Sequence, residues 1–343
     1  MMRVAVNGTG RIGRMVLRQL LSDDSEILEL AAVNSTVSAD QLAHLLKYDS
    51  VHRTWDRDVE SDGEAIIVNG RRIPLLSQRA IERLNWSRYG VELVIEATGK
   101  FNNRAEASGH LRSGAERVLL TAPGKDVDLT VVMGVNDDQY DPARHRLLSA
   151  ASCTTNCLAP VLHILDHAFG VKSGWMTTVH AYTSDQNHLD NPHKDLRRAR
   201  ACTGSIIPTS TGVGKAIAEV LPHLASRIQG ISIRVPTQNV SLLDLQAEVG
   251  RPVEAGEVKD AFRQACAGPL GRYVGYNELP LVSSDYIGND KSSIIDGLSV
   301  MVRNDQVKLL AWYDNEWAYA GRVVDFAAHI ANIEMATIGG IRA

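Results

Sequence analysis

Ser152-Cys153-Thr154-Thr155-Asn156-Cys157 sets a thiol between hydroxyls, immediately before the apolar, helix-like run Leu158 to Phe169. The first turn of a helix presents unpaired backbone N–H groups and a partial positive charge, which favour a thiolate and bind an anion formed beside it. Cys153 is therefore the candidate nucleophile. The competing reading makes Cys153 and Cys157 small buried fillers. At neutral pH a thiol needs a base, and Thr177-Thr178-Val179-His180 ends a strand pattern with an imidazole. Among eleven histidines His180 is the candidate base, with His193, inside a long polar loop, the next contender.

Arg198, Arg234, Thr183 and Thr211-Gly212 form a further set, cations and hydroxyl donors at loop or strand ends that could converge on oxyanions. The stretch Ile207 to Gly212 precedes a helix pattern from Val213 to Leu221, which makes it a natural phosphate site. Simple N-capping by Thr209 to Thr211, without a ligand, is the alternative. Arg234 alternates with apolar neighbours and faces away from their side, as a charge projecting into a substrate cleft would.

Gly8, Gly10 and Gly13 fit the dinucleotide fingerprint, in which a tight turn, close pyrophosphate approach and close helix–strand packing each exclude a side chain. The backbone N–H groups of Arg11 and Ile12 would then face phosphate. An NAD site usually ends its second strand with an acid that holds the adenine ribose; this chain has Asn34-Ser35 there. A serine hydroxyl can donate to a 2′-phosphate that a carboxylate would repel, and Arg79 could add a positive charge. NADP is expected as the preferred cofactor, with NAD possible, and no metal is expected.

These groups need elements to hold them. Arg3 to Asn7 reads as a buried strand, Gly8 to Gly13 as a turn and Met15 to Leu21 as a helix; strand patterns follow at Ile27 to Val33, Leu93 to Glu96, Val118 to Thr121 and Thr130 to Gly134. That is α/β, a doubly wound Rossmann-type parallel sheet. Beyond Cys153 come longer β-rich runs, Gly174 to Tyr182, Gly230 to Val235, Ser241 to Val249, Gly297 to Arg303 and Val307 to Tyr313, which predict an α+β domain with a mostly antiparallel sheet. Between the first two runs, the polar stretch Thr183 to Ser205 is long enough to be a functional or interface loop. The expected division is a dinucleotide-binding domain over 1–152 and a catalytic domain over 153–316, with a C-terminal helix over 317–343 packing back on the first.

At 343 residues, two globular domains are the prior. A net charge of −4 gives no reason to expect nucleic acid or membrane as partner, and no window is apolar enough to span a bilayer. Four cysteines are too few for a disulfide framework, and Met1-Met2-Arg3 leads straight into a strand, so a soluble cytoplasmic protein acting on small molecules is expected.

Taken together, the sequence resembles the phosphorylating glyceraldehyde-3-phosphate dehydrogenases along essentially its whole length. The resemblance rests on Asn7 to Arg14, Ser152 to Cys157, Asp195 to Arg200 and Trp312 to Trp317, four motifs in order. It implies that Cys153 attacks an aldehyde, that His180 takes the proton and that inorganic phosphate releases the acyl group from a thioester, giving 1,3-bisphosphoglycerate from D-glyceraldehyde 3-phosphate. It further implies that Arg198, Thr211, Gly212 and Thr154 contact one phosphate, Thr183 and Arg234 hold the other anion, and Ser152 touches substrate. Asn315 would fix the nicotinamide carboxamide, and Thr98, Phe101 and Thr121 would line the cofactor cleft. Ser35, and Asn191 before Pro192, resemble the bacterial NADP-using, gluconeogenic branch; in the family's homotetramer the loop carrying Asn191 reaches a neighbouring subunit. The alternatives are an erythrose-4-phosphate dehydrogenase, against which Thr211-Gly212 argues, and a non-catalytic nucleotide-binding redox sensor.

Overall fold

The computed structural model describes residues 1–23 and 25–341. The chain divides into two compact units, one formed by residues 1–131, 137–152 and the segment from Ala320 onward, the other by residues 132–136 and 153–319.

The first unit runs β1 (Met2–Asn7), α1 (Arg11–Leu20), β2 (Leu28–Asn34), α2 (Ala39–Lys47), β3 (Val59–Ser61), β4 (Ala65–Val68) and β5 (Arg71–Leu76). It continues with β6 (Leu93–Glu96), α3 (Arg104–Arg112), β7 (Arg117–Leu120), β8 (Leu129–Thr130) and β9 (Leu147–Ser149). Among the described residues its strands form a nine-stranded sheet in the order β3-β4-β5-β2-β1-β6-β7-β9-β8. The pairs from β5 to β8 are all parallel, as the expected doubly wound sheet requires, and near-continuous apolar strands such as β1 and β6 suit burial on both faces.

The antiparallel extension β3-β4-β5 was not expected. Its strands are short and polar at Glu60, Arg71 and Arg72, which hides their alternation. The signal that would have found it is the Asn69-Gly70 turn, with φ of 47° and 78° at the two residues. The expected strand Thr130 to Gly134 is corrected: only Leu129–Thr130 pairs. Beyond it the side-chain oxygen of Asn136 accepts from the Val132 N–H at 2.9 Å and Gly134 takes a φ of +80°, so the chain turns instead of extending.

The second unit begins with α4 (Cys153–Phe169), followed by β10 (Val171–Ala181), β11 (Ile207–Ser210), α5 (Val213–Val220) and β12 (Ile228–Val235). Next come β13 (Ser241–Val249), α6 (Ala255–Ala267), β14 (Val274–Asn277), β15 (Ser293–Arg303), β16 (Gln306–Tyr313) and the start of α7 (Trp317–Ile341). The predicted helix 317–343 is described as far as Ile341, and its last two residues lie outside the described residues. A seven-stranded sheet forms among the described residues, ordered β11-β12-β10-β13-β16-β15-β14. It is mostly antiparallel, with parallel pairs at β10·β12 and β14·β15. Helix α4 is buried from Thr154 through Leu162, the mark of a helix lying within a core and not upon one.

Candidate active site

In the first unit, β1 ends at Asn7 and the chain turns through Gly8 at a φ of +100°. A side chain there would come within 2.7 Å of the Thr98 backbone nitrogen, and one at Gly13 within 2.0 Å of the Gly8 carbonyl oxygen. The turn and the close seat of α1 on the strand therefore both demand glycine. Helix α1 starts at Arg11 and Ile12 with no side-chain cap, and the space beside Gly10 is open. Uncapped N–H groups over an open glycine turn suit a pyrophosphate.

Gly8, Gly10, Asn34, Ser35, Arg79, Thr98 and Phe101 all line one cavity of about 400 Å³. Arg11, Ile12, Gly13 and Thr121 lie outside its lining. The Arg11 side chain pairs with buried Asp49, and the Thr121 hydroxyl donates to the Glu96 carbonyl at 3.1 Å. Ser35 is buried; its hydroxyl accepts from the Val37 N–H at 3.3 Å and shares a hydrogen bond with Thr9. Among the described residues Arg79 makes no ion pair, Lys100 joins it in the lining, and no carboxylate lines the cavity.

One supporting group escaped the sequence reading. The Glu96 carboxylate, buried at the end of β6, accepts from Asn7 Nδ2 at 2.5 Å, the Thr98 backbone N–H at 2.7 Å, the Thr98 hydroxyl and His110 Nε2 at 2.9 Å. Trp86 Nε1 donates to His110 Nδ1 at 3.0 Å, which leaves Nε2 as the protonated nitrogen that meets Glu96. Asn7 in turn accepts from Asn34 Nδ2 at 2.6 Å, so this network holds the cavity floor. An acid closing a buried strand beside Thr98 was its only mark in the sequence.

In the second unit, Cys153 is the first residue of α4 and His180 the penultimate residue of β10. Cys153 Sγ lies 3.5 Å from His180 Nε2. Parallel pairing of β10 with β12 sets His180 directly beside Arg234, whose Nη1 is 2.6 Å from His180 Nδ1 and 3.1 Å from the Ala181 carbonyl oxygen. Nδ1 also lies 2.6 Å from that carbonyl. With its proton on Nδ1, the ring donates to Ala181 and leaves Nε2 free to accept from the thiol; in the other tautomer it accepts from Arg234 and turns an N–H toward sulfur.

Burial, reinforced by the Arg234 charge, pushes the His180 imidazole down to about 3. Burial also pushes the Cys153 thiol up, while the Arg234 charge and hydrogen bonding from Thr154 pull it back. In the ligand-free chain burial therefore works against the thiolate that the helix start and Arg234 favour.

Thr154 is buried, and its hydroxyl shares a hydrogen bond with Tyr313 OH at 3.0 Å; the same phenol reaches Thr178 at 2.7 Å, tying α4, β10 and β16 together. Arg198 is not a bare cation. It pairs with Asp185, lies 3.6 Å from Asp195, and donates to the Thr209 hydroxyl at 3.0 Å and the Ser210 carbonyl at 3.3 Å. That occupies Thr209 and leaves α5 with Gly212 as an N-cap lacking any side-chain bond, so the capping alternative does not hold. Thr211 follows Ser210 directly, half-buried; Thr183 is half-buried, and its backbone carbonyl accepts from the Gln186 N–H at 2.9 Å. Ser152, half-buried, immediately precedes the nucleophile. Asn315 is buried and accepts from the Ser241 hydroxyl at 2.9 Å. Asn191 is exposed within the long loop and bonds only to loop backbone and Asn187 among the described residues. Cys157, fully buried one turn past Cys153, has its thiol pushed well up by burial.

Among the described residues no group of three or more His, Cys, Asp or Glu side chains converges as a metal site, and no helix is long and apolar enough to cross a membrane.

A Rossmann-type unit with a dinucleotide cradle, and a second unit with a thiol–imidazole pair, mark a nicotinamide-dependent oxidoreductase. Residues 2–104 match the NAD binding domain, and residues 152–315 the C-terminal domain, of glyceraldehyde 3-phosphate dehydrogenase. The chain is 53% identical over 330 residues to glyceraldehyde-3-phosphate dehydrogenase 2 of Bacillus subtilis (strain 168), covering 96% of each. It is 51% identical over 331 residues to glyceraldehyde-3-phosphate dehydrogenase of Geobacillus stearothermophilus, covering 96% of this chain and 98% of that one. The chain belongs to the glyceraldehyde-3-phosphate dehydrogenase family.

Proposed function

We propose that the protein catalyses the reversible phosphorylating oxidation of D-glyceraldehyde 3-phosphate to 1,3-bisphosphoglycerate through a thioester on Cys153, using NADP in preference to NAD. The observation that carries the chemistry is the 3.5 Å approach of Cys153 Sγ to His180 Nε2 at the start of α4. Sulfur attacks the aldehyde carbon, forming the C–S bond, and His180 Nε2 takes the thiol proton. Backbone N–H groups of the first α4 turn stabilise the oxygen as it gains charge. The bound dinucleotide supplies the hydride acceptor. Phosphate oxygen then attacks the thioester carbon, the C–S bond breaks, and sulfur recovers its proton.

Arg198, Thr154, Thr211 and Gly212 form one anion seat, Arg234 and Thr183 the other, with Ser152 beside the substrate. An anion at Arg234 offsets the positive charge that adds to burial in holding His180 down, so the imidazole becomes a better base when substrate is present. In the first unit Gly8, Gly10, Gly13 and the N–H groups of Arg11 and Ile12 hold the pyrophosphate, Asn34 and Ser35 the adenine ribose, and Thr98, Phe101 and Thr121 flank the dinucleotide. Asn315 holds the carboxamide. The NADP preference is supported by a cavity with Arg79 and Lys100 in its lining and no carboxylate among the described residues.

A homotetramer is part of this reading. Trp175 on β10 is 65% exposed and Ile231 on β12 is 51% exposed, on one face of the sheet, with Leu298 and Met301 of β15 also bare. Such apolar exposure fits subunit contact, with Asn191 serving a neighbouring copy. Turnover of triose phosphate that ignored added phosphate would refute the phosphorylating reaction, and sedimentation as a monomer would refute the assembly.

A further inference from the structure

Ser241, the first residue of β13, is almost fully buried, and its hydroxyl joins two groups of the proposed site. The Ala181 backbone N–H, next to His180, donates to Ser241 Oγ at 3.2 Å, and Ser241 Oγ donates to Asn315 Oδ1 at 2.9 Å. The polarity of this chain is determined. A backbone N–H only donates, so the serine oxygen accepts there and keeps one proton for one acceptor. In Asn315 only the carbonyl oxygen can take it. Were the amide turned over, its nitrogen would donate to an oxygen already served, and the buried hydroxyl proton would be left without an acceptor.

The rest of the Asn315 surroundings prevents escape by a backbone shift. The Asp314 carboxylate accepts from Asn239 Nδ2 at 2.9 Å, the Gly288 N–H at 2.8 Å, and the Glu316 and Trp317 N–H groups at 2.9 and 2.8 Å. The residue before Asn315 is thus anchored on four sides, and the amide keeps only its own side-chain torsion free. Among the described residues no other hydrogen bond holds that amide.

We infer that Ser241 is a positioning residue that locks the Asn315 amide with its nitrogen outward, making Asn315 a donor-only contact that selects the carbonyl oxygen of the nicotinamide carboxamide. The inference rests on the proposed reading in which Asn315 meets that carboxamide. Ser241 also clamps the end of β10, so the amide and the base share one buried hydroxyl.

The test compares dissociation constants, by fluorescence titration, for the native dinucleotide and for its acetylpyridine analogue. The analogue's ketone keeps the carbonyl oxygen and lacks the amide N–H₂. With the amide locked, both ligands find the donor they need. In Ser241→Ala the amide can turn its oxygen outward, which still serves the native N–H₂ but not the ketone. The ratio of analogue to native dissociation constant should therefore rise at least about threefold, while Ser241→Thr, which keeps the hydroxyl, holds the wild-type ratio. Ser241→Cys, a weaker donor of similar size, should fall between them and serves if the alanine variant does not fold. An unchanged ratio, with both ligands weakened alike, would show a merely structural serine and overturn the inference. Asn315→Asp separates the two layers: a carboxylate can only accept, so it should penalise the ketone more than the native ligand. If Asn315→Asp leaves the ratio untouched, the carboxamide reading itself fails.

Discussion

Arg234 Nη1 lies 2.6 Å from His180 Nδ1, so the base of the proposed reaction rests against a fixed positive charge. Strand pairing enforces the contact, since the two residues are register partners in β10 and β12. Together with burial it keeps the ligand-free imidazole neutral down to about pH 3.

This neutrality has a consequence for stability. An unfolded histidine takes up its proton near pH 6.5, the folded His180 only near 3, so between those values the unfolded chain binds more protons and stability falls as pH falls. His180→Gln removes that contribution. Between pH 7 and pH 5 the wild type should lose about 2 kcal/mol more apparent stability than the variant, measured by urea unfolding at both pH values. Equal losses would mean that His180 is not held neutral.

The two cysteines of α4 should behave differently. Cys153 is partly accessible and Cys157 sealed, so iodoacetamide should label Cys153 and spare Cys157, with half-exposed Cys266 the other accessible thiol. Because burial holds the Cys153 thiol up, its labelling rate in the ligand-free chain should keep climbing past about pH 8.5, the range of an ordinary thiol. A plateau below neutrality would reveal a preformed thiolate instead. Cys153→Ser should lower kcat by about a thousandfold or more, and retained dehydrogenase turnover would remove Cys153 as nucleophile.

Cofactor choice should follow the cavity charge. Arg79→Ala should raise KM for NADP about tenfold and leave NAD within about twofold. Ser35→Asp should invert the preference by repelling a 2′-phosphate. A tenfold kcat/KM advantage for NAD in the wild type would contradict the proposed preference.

The network on Glu96 is a stability matter. Glu96→Ala would strand the buried Asn7 and His110 donors, an expected loss of about 3 kcal/mol in chemical denaturation. Glu96→Gln, which keeps one acceptor oxygen, should lose less. Comparable losses for both variants would show that volume, not hydrogen bonding, is what Glu96 supplies.

Much of this protein was legible along the chain. Apolar periodicity located β1, β6 and β13, the glycines announced the turn before α1, and the hydroxyl-flanked Cys153 announced a helix start, because each depends on residues only a few positions apart. Short strands such as β3 and β4 escaped, since three or four residues carry too little alternation to distinguish them from a loop. The partnerships were decided by tertiary structure alone. That β10 lies between β12 and β13 puts Arg234 against His180 and Ser241 between Ala181 and Asn315, and that order follows from packing distant segments on one core. Burial, too, belongs to the folded whole. Residue types name a thiol and an imidazole that can exchange a proton, but the packing around Cys153 and His180 biases both toward their neutral forms, because desolvation depends on everything packed around a group and not on its neighbours in sequence.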